Sequence, residues 1–407
     1  MSGLRVTLVT VYFAPEISPV THLYADLASD LARRGADVTV VTGAASRGLT
    51  NEQREAYRAR MDERVPEGYR VLRMRGGGEG KSLVARGLYL LKSTISLYRA
   101  AKHVPTDVYV LGSMPPFLGY IGAKLAKRAR TVYIVQDIFP DTVLLMGKLT
   151  EGGLLTRLCR AMERATYRGN TRFITISPDM ANTLYARGIQ RERVSVIGNW
   201  ADTDAVRPVA RAENPLFDEC GIPREAFIVL YAGVLGILQN PLILLDAAKR
   251  LRAHSDILFV IFGEGALRDR VEAAIASEGL TNVRLLPLQP GSRVSEVYSV
   301  GDVAVVPLKN GVTRVAMPSK TWTAMAAGRP VLVTADTGSV WAETIRGAHC
   351  GAVVPPEDAA ALADAILSLY ERRGQLPLMG QNAREYAIRS LSREGATGAY
   401  YDVLCKE

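Results

Sequence analysis

The sequence predicts an α/β protein of two doubly wound domains, each a parallel sheet with helices on both faces. Three observations carry this. Short β-branched runs alternate with stretches of helical periodicity through most of the 407 residues. The runs are almost continuously apolar, as in strands buried on both faces. The alternation also restarts after an aperiodic stretch at 199–223 that holds Pro208, Pro215 and Pro223.

The elements follow in order. Residues 4–10 read as a strand. Leu23, Leu27 and Leu31 recur every fourth residue on a helix over 22–34, which Gly35 ends. Strand 37–42 is followed by a polar, Arg/Glu-rich stretch, 46–67, with no element assigned. Then come strand 69–74, a long helix over 82–104, strand 108–111, helix 117–128, strand 131–135, helix 152–168, strand 173–176 and a helix from Pro178. The second half gives strand 228–232, helix 241–253, strand 257–262, helix 266–277, strand 283–286, a short helix at 294–299, strand 303–307, helix 318–327 and strand 330–334. The predicted domains are 1–198, 199–381 and a terminal segment, 382–407.

Composition sets the class. Hydrophobic residues make up 48% and charged residues 22%, as in a globular protein. No apolar run is long enough to span a bilayer, and the first residues lack the pattern of a signal peptide. Cys159, Cys220, Cys350 and Cys405 lie far apart, so reduced buried thiols are expected, with neither zinc nor disulfides. Residues 1–200 hold 29 Lys+Arg against 17 Asp+Glu, a balance of +12. Residues 201–407 hold 21 against 24, or −3. The first half is therefore expected to face something anionic; charge alone does not choose between nucleic acid, lipid headgroups and a phosphorylated substrate.

Two phosphate motifs fail. In Gly76-Gly77-Gly78-Glu79-Gly80-Lys81-Ser82 the first glycine of a P-loop falls on Arg75, so a glycine hinge is the better reading. Residues 10–18 contain no glycine, and Gly263-Glu264-Gly265 is half a dinucleotide fingerprint, which disfavours NAD chemistry. At 307–330 the chain reads PLKNGVTRVAMPSKTWTAMAAGRP. Pro318 is placed in the first turn of a helix whose free N–H groups can face an anion. Lys309, Arg314 and Lys320 add three cations, which makes a diphosphate site without a metal. An ordinary helix start with surface cations explains the same residues.

The segment resembles the donor signature of glycosyltransferase family 4. Tyr12-Phe13-Ala14-Pro15-Glu16, Asn199-Trp200-Ala201-Asp202-Thr203-Asp204, Tyr231-Ala232-Gly233-Val234-Leu235-Gly236 and Phe262-Gly263-Glu264-Gly265 are similar to four further family segments, in the family's order. The resemblance implies the GT-B fold, two facing Rossmann-like domains with a deep cleft, and a retaining, metal-independent transfer from a nucleotide diphosphate sugar, expected to be a UDP-sugar. It implies donor contacts at Gly233, Gly236, Gln239, Gly263, Glu264, Leu288, Lys309, Arg314, Pro318, Ser319, Lys320, Thr321 and Thr323. The chain departs from the family where two glutamates become Val315 and Thr323, and where a basic pair becomes Val234 and Gln239. Pro318-Ser319-Lys320, Gln239 and Gln136-Asp137-Ile138-Phe139-Pro140-Asp141 are closer to the branch of L-fucosamine transferases of surface-polysaccharide assembly.

Asp137, after strand 131–135, is the candidate to orient or deprotonate the acceptor hydroxyl, and Glu16 is a second; a turn residue and a solvated loop carboxylate are the plainer readings. Glu264 reads either as a donor contact or as a helix-start acid. Residues 81–103 hold Lys81, Arg86, Lys92, Arg99 and Lys102 and no acid, with Val84, Leu88, Leu91, Ile95 and Tyr98 on one helical face. Such a helix can lie on a membrane, and the Arg-rich 157–172 extends its charge. The expected partners are a nucleotide-sugar donor, a lipid-linked glycan or other hydroxyl acceptor and a membrane surface, not nucleic acid. The expected location is cytoplasmic, peripheral on the inner face of the cell membrane. Tyr386, Tyr400, Tyr401 and Leu404 are expected to pack a terminal helix onto the first domain. A transferase with a soluble acceptor and a catalytically weak nucleotide-sugar-binding protein are the alternatives.

Overall fold

Valine, isoleucine and leucine fill strands whose residues are buried on both faces, and this pattern builds two parallel sheets. The computed structural model describes residues 3–16, 20–45, 48–75 and 83–406, with backbone only at 58 and 83–86. The glycine hinge at 76–82, with Lys81, lies outside the described residues.

The chain divides into two compact units, Met1–Asn199 with Arg393–Glu407, and Trp200–Ser392. The first contains β1 (Arg5–Thr10), β2 (Asp37–Thr42), β3 (Asp62–Arg64), β4 (Arg70–Arg73), β5 (Val108–Gly112), β6 (Arg130–Val135), β7 (Arg172–Thr175) and β8 (Val194–Val196). Their order is β3-β4-β2-β1-β5-β6-β7-β8, parallel except for the antiparallel β3–β4 pair. The second contains β9 (Phe227–Val234), β10 (Ile257–Glu264), β11 (Val283–Leu286), β12 (Val303–Val306), β13 (Val331–Thr334) and β14 (Gly351–Val354). Their order is β11-β10-β9-β12-β13-β14, parallel throughout. In both units the sheet order jumps across the first strand, which is the doubly wound pattern.

Helix Thr21–Arg33 buries Leu23, Leu27 and Leu31, the face its spacing predicts. The unassigned polar stretch contains helix Asn51–Ala59. It begins with a capping box in which Gln53 N donates to Thr50 Oγ1 at 3.2 Å and Thr50 N to Gln53 Oε1 at 2.9 Å. Of the cysteines, Cys350 is buried but Cys405 is exposed, so burial holds for only part of the set. Among the described residues no helix is long and apolar enough to cross a membrane.

The terminal segment changes units later than residue 382. Helix Leu376–Ser390, with Tyr386, belongs to the second unit, where Arg384 donates to the carbonyls of Thr203 at 2.6 Å and Val206 at 2.7 Å. Helix Arg393–Cys405 belongs to the first and buries Tyr400 and Leu404. Asp30 anchors it. Its buried carboxylate accepts from Arg393 at 2.6 and 2.9 Å, from the Thr397 hydroxyl at 3.0 Å and from Arg33. Burial pushes the Asp30 carboxyl up, but these donors outweigh it and leave it below its usual range.

Removing this acceptor strands Arg393 and frees the helix. Asp30→Ala is expected to cost the first unit about 3 kcal/mol in urea unfolding. Because the folded value is depressed, the Asp30 contribution is present above about pH 4 and is lost as the pH falls below it.

Candidate active site

In the second unit the turns that follow β9 and β10 are stitched together. Leu235 N donates to Glu264 O at 2.8 Å and Leu267 N donates to Leu235 O at 3.0 Å. The close approach needs glycine. Gly233 has φ +132° and Gly265 φ +148°, and a Cβ at Gly265 would fall 2.7 Å from Leu235 O. Gly263 lies beside Gly233 in the sheet register. Gly236 follows in the turn, with the Gln239 side chain packed over it.

Lys320 reaches into this turn from helix Lys320–Ala326. Its Nζ lies 3.9 Å from the centroid of the Tyr231 ring. A Cβ at Gly233 would come within 3.2 Å of it. The side chain as a whole is half-buried, but Nζ itself is shut off from solvent and has no hydrogen-bond partner among the described residues. Desolvation pushes its pKa down to about 7. Among the described residues the face of Tyr231 is what compensates the charge. Tyr231 is held by its hydroxyl, which donates to Val234 O at 2.6 Å. An anion brought beside it would restore the charged form.

The start of that helix differs from the sequence expectation. Ser319 is the cap residue, with φ −59° and ψ −22° and no side-chain cap bond. Thr321 N donates to Pro318 O at 3.1 Å and Trp322 N to Ser319 O at 3.0 Å. These tight i→i+3 bonds close around the Pro318 carbonyl, so Pro318 stands just outside the helix, not in its first turn. Thr321 is buried and its hydroxyl has no partner among the described residues. The Thr323 hydroxyl turns back to Ser319 O at 3.4 Å. Lys309 meets the same turn through its N–H, which donates to Leu238 O at 3.0 Å. Arg314 is exposed on the turn Val312–Arg314, and Val315 is buried. Glu264 is the last residue of β10 and pairs with Arg268 at 3.2 Å; the following helix starts at Arg268, so Glu264 is not a helix-start acid. Leu288 lies past β11, half-exposed.

In the first unit Asp137 follows β6. Gln136 beside it is fixed by Asn199 in a reciprocal amide pair at 3.0 and 2.9 Å, and its N–H donates to Ser113 Oγ at 3.0 Å. Burial raises the Asp137 carboxyl to about 6. Tyr133, Glu163, Thr166 and Tyr167 line a small cavity beside it. Burial, and then the charge of Asp137, pushes the Tyr24 phenol upward. Glu16 is buried, not solvated: its carboxylate accepts from Phe13 N at 3.3 Å and its N–H donates to Phe13 O at 3.0 Å, closing the loop after β1. Tyr231, Gln136 and Asn199 stand in the sequence motifs, but the Tyr231–Lys320 contact and the Gln136–Asn199 pair join partners distant in the chain and are not legible there. Among the described residues no three His, Cys, Asp or Glu side chains gather in a possible metal site.

The family described as glycosyl transferase 4-like domain matches residues 20–200, and the family described as glycosyl transferases group 1 matches 213–386. The chain is a glycosyltransferase of GT-B fold with these two domains in that order. It is 27% identical to WcaI of Escherichia coli (strain K12), a protein assigned to colanic acid biosynthesis as a glycosyl transferase, over 96% of this chain and 97% of WcaI. It is 24% identical to the E. coli UDP-Gal:alpha-D-GlcNAc-diphosphoundecaprenol alpha-1,3-galactosyltransferase, over 74% of this chain and 76% of that one. HepE of Anabaena, solved with UDP and glucose, superposes with a TM-score of 0.73 at 16% identity, over 98% of this chain and 99% of HepE.

Two predictions follow from the buried charges. If a nucleotide diphosphate binds here it favours the charged form of Lys320, so UDP affinity is expected to fall as the pH rises from about 7 to 9, with proton uptake on binding largest at about pH 8. Lys320→Met is expected to lower affinity about 10- to 100-fold at pH 7 and to flatten that dependence, both read by calorimetry in buffers of different ionisation enthalpy. The Asp137 carboxyl is raised, so the folded state holds its proton longer and stability falls as the pH rises from about 4 to about 6. Asp137→Asn should raise the melting temperature at pH 7 while lowering turnover by about 100-fold or more; a turn residue would lose stability and spare turnover.

Proposed function

We propose that the protein transfers a sugar from a uridine diphosphate donor to a hydroxyl of a lipid-linked glycan intermediate in polysaccharide assembly, with retention at the anomeric carbon and without a metal ion. The observation that carries the donor half is the unpartnered Lys320 ammonium beneath the Gly233 turn. Its charge, with Lys309 and Arg314, stabilises the diphosphate as it leaves, the task a divalent cation performs in metal-dependent transferases. The Ser319 and Thr321 hydroxyls add donors. Backbone groups near Leu288 hold the base, and Thr323 faces the ribose. The UDP seen with HepE supports the nucleotide, and the diphosphoundecaprenol acceptor named for the E. coli galactosyltransferase supports the lipid-linked substrate.

On the acceptor side Asp137 orients the attacking hydroxyl and takes up its proton, with the Gln136–Asn199 pair as the positioning element. Glu16 shapes the neighbouring loop. Helix Leu83–Ala101 supports the membrane reading: it buries Thr94, Leu97 and Ala101 and leaves Leu88, Leu91 and Ile95 exposed beside Lys92 and Arg99. The side chain of Arg86 lies outside the described residues. Apolar and cationic groups on one outer face suit a peripheral position on the inner surface of the cell membrane.

Nucleotide release over a panel of uridine, guanosine and thymidine diphosphate sugars, with a lipid-linked acceptor extract, tests the activity. Turnover with a uridine donor, undiminished by a chelator, is the expected result. Turnover only with another nucleotide, or only with a soluble acceptor, overturns the corresponding half. In vesicle flotation Lys92→Glu/Arg99→Glu is expected to weaken binding at least about tenfold.

A further inference from the structure

Helix Leu154–Gly169 carries features that the transfer reaction does not use. Leu154, Leu155 and Leu158 on its outer face are 86%, 59% and 66% exposed. Beside them opens a recess of about 450 Å³ lined by Leu144, Glu151, Thr156, Arg157, Arg160 and Arg164. That volume is in the range of small-ligand sites.

The charges in the recess are not equivalent. Arg160 forks onto Asp141 at 2.7 and 2.8 Å and reaches Glu163 at 3.1 Å, and Arg187 meets Asp141 at 2.9 Å. Two guanidiniums thus face two carboxylates, and this network balances itself. Arg157 and Arg164 are left over. Both are exposed, and among the described residues neither guanidinium makes a hydrogen bond or an ion pair.

The surroundings match. Helix Phe117–Leu125 touches both Leu154–Gly169 and Leu83–Ala101, so the three cover one side of the sheet. It exposes Tyr120 and Lys124 and contains no acid. In the three helices the acid is Glu163, and it is buried and paired. Solvent-facing leucines beside uncompensated guanidiniums are costly to keep in water alone and suited to a lipid–water boundary, with methyl groups below the phosphates and cations level with them. A guanidinium fork also matches phosphate oxygens in shape.

We propose that the recess is a phospholipid site, in which Arg157 and Arg164 hold the headgroup phosphate of an anionic bilayer lipid while Leu154, Leu155 and Leu158 enter the acyl layer. The proposal rests on the membrane reading above and deepens it by assigning the anchor and its ligand.

The test uses the whole protein, phosphatidylcholine vesicles with or without phosphatidylglycerol, and flotation at matched ionic strength. The wild type is expected to bind vesicles that contain phosphatidylglycerol and not pure phosphatidylcholine. Arg157→Glu/Arg164→Glu and Leu154→Ser/Leu155→Ser/Leu158→Ser should each weaken binding at least about tenfold, with UDP affinity unchanged as the check on folding. If the arginine variant binds like the wild type while Lys92→Glu/Arg99→Glu does not, this site is wrong and the broader membrane reading stands. If the wild type binds neither vesicle, both fall. Inorganic phosphate bound at the recess while the arginine variant still floats like the wild type would assign the recess to a free anion and overturn the lipid.

Discussion

Parallel pairing is the constraint on which the rest of this protein depends. A parallel strand cannot be reached by a tight hairpin, so the chain returns through a crossover, and the segments that follow the strands collect at one edge of each sheet. In the second unit this gathers the turns after β9 and β10 and the segment after β12. Lys320 can then sit on Tyr231, although the two are far apart in the chain. In the first unit the same rule brings Glu16, Ser113 and Gln136 to the ends of adjacent strands.

The charges at these edges differ in kind from those elsewhere. Asp30 is buried with a full set of donors and ties down the terminal helix. Asp141 and Glu163 are matched by Arg160 and Arg187. Asp137 and Lys320 are instead desolvated with no opposite charge offsetting it among the described residues, and both are pushed toward neutrality. A fold satisfies its structural charges internally and leaves unsatisfied those that a ligand must complete. The two groups are of opposite sign and lie in different units.

Much of this was legible in the sequence. Strands Asp37–Thr42 and Val283–Leu286 have the bounds the sequence predicts; the first is a β-branched run buried on both faces, which needs no tertiary information to be read. Helix Asn51–Ala59 escaped notice because it has no apolar stripe, although its Thr50-x-x-Gln53 cap was there to be read. The short edge strands β8 and β14 carried too little pattern. For helix Leu83–Ala101 periodicity gave a face with Leu88, Leu91 and Ile95, and only the structure shows that this face is turned outward while Leu97 packs inward. The donor segment was visible as a run of cations; that Lys320 is desolvated depends on Tyr231 and Gly233, which the sequence does not place beside it.

The ammonium of Lys320 is the central claim, and its titration measures it most directly. Carbon-detected NMR on lysine labelled at Cε, assigned by Lys320→Met, gives the pKa of Nζ with and without UDP. A value of about 7 is expected in the free protein, rising by about two units or more when the diphosphate binds. A free-protein value near that of an exposed lysine, or a depressed value that UDP leaves unmoved, would contradict it.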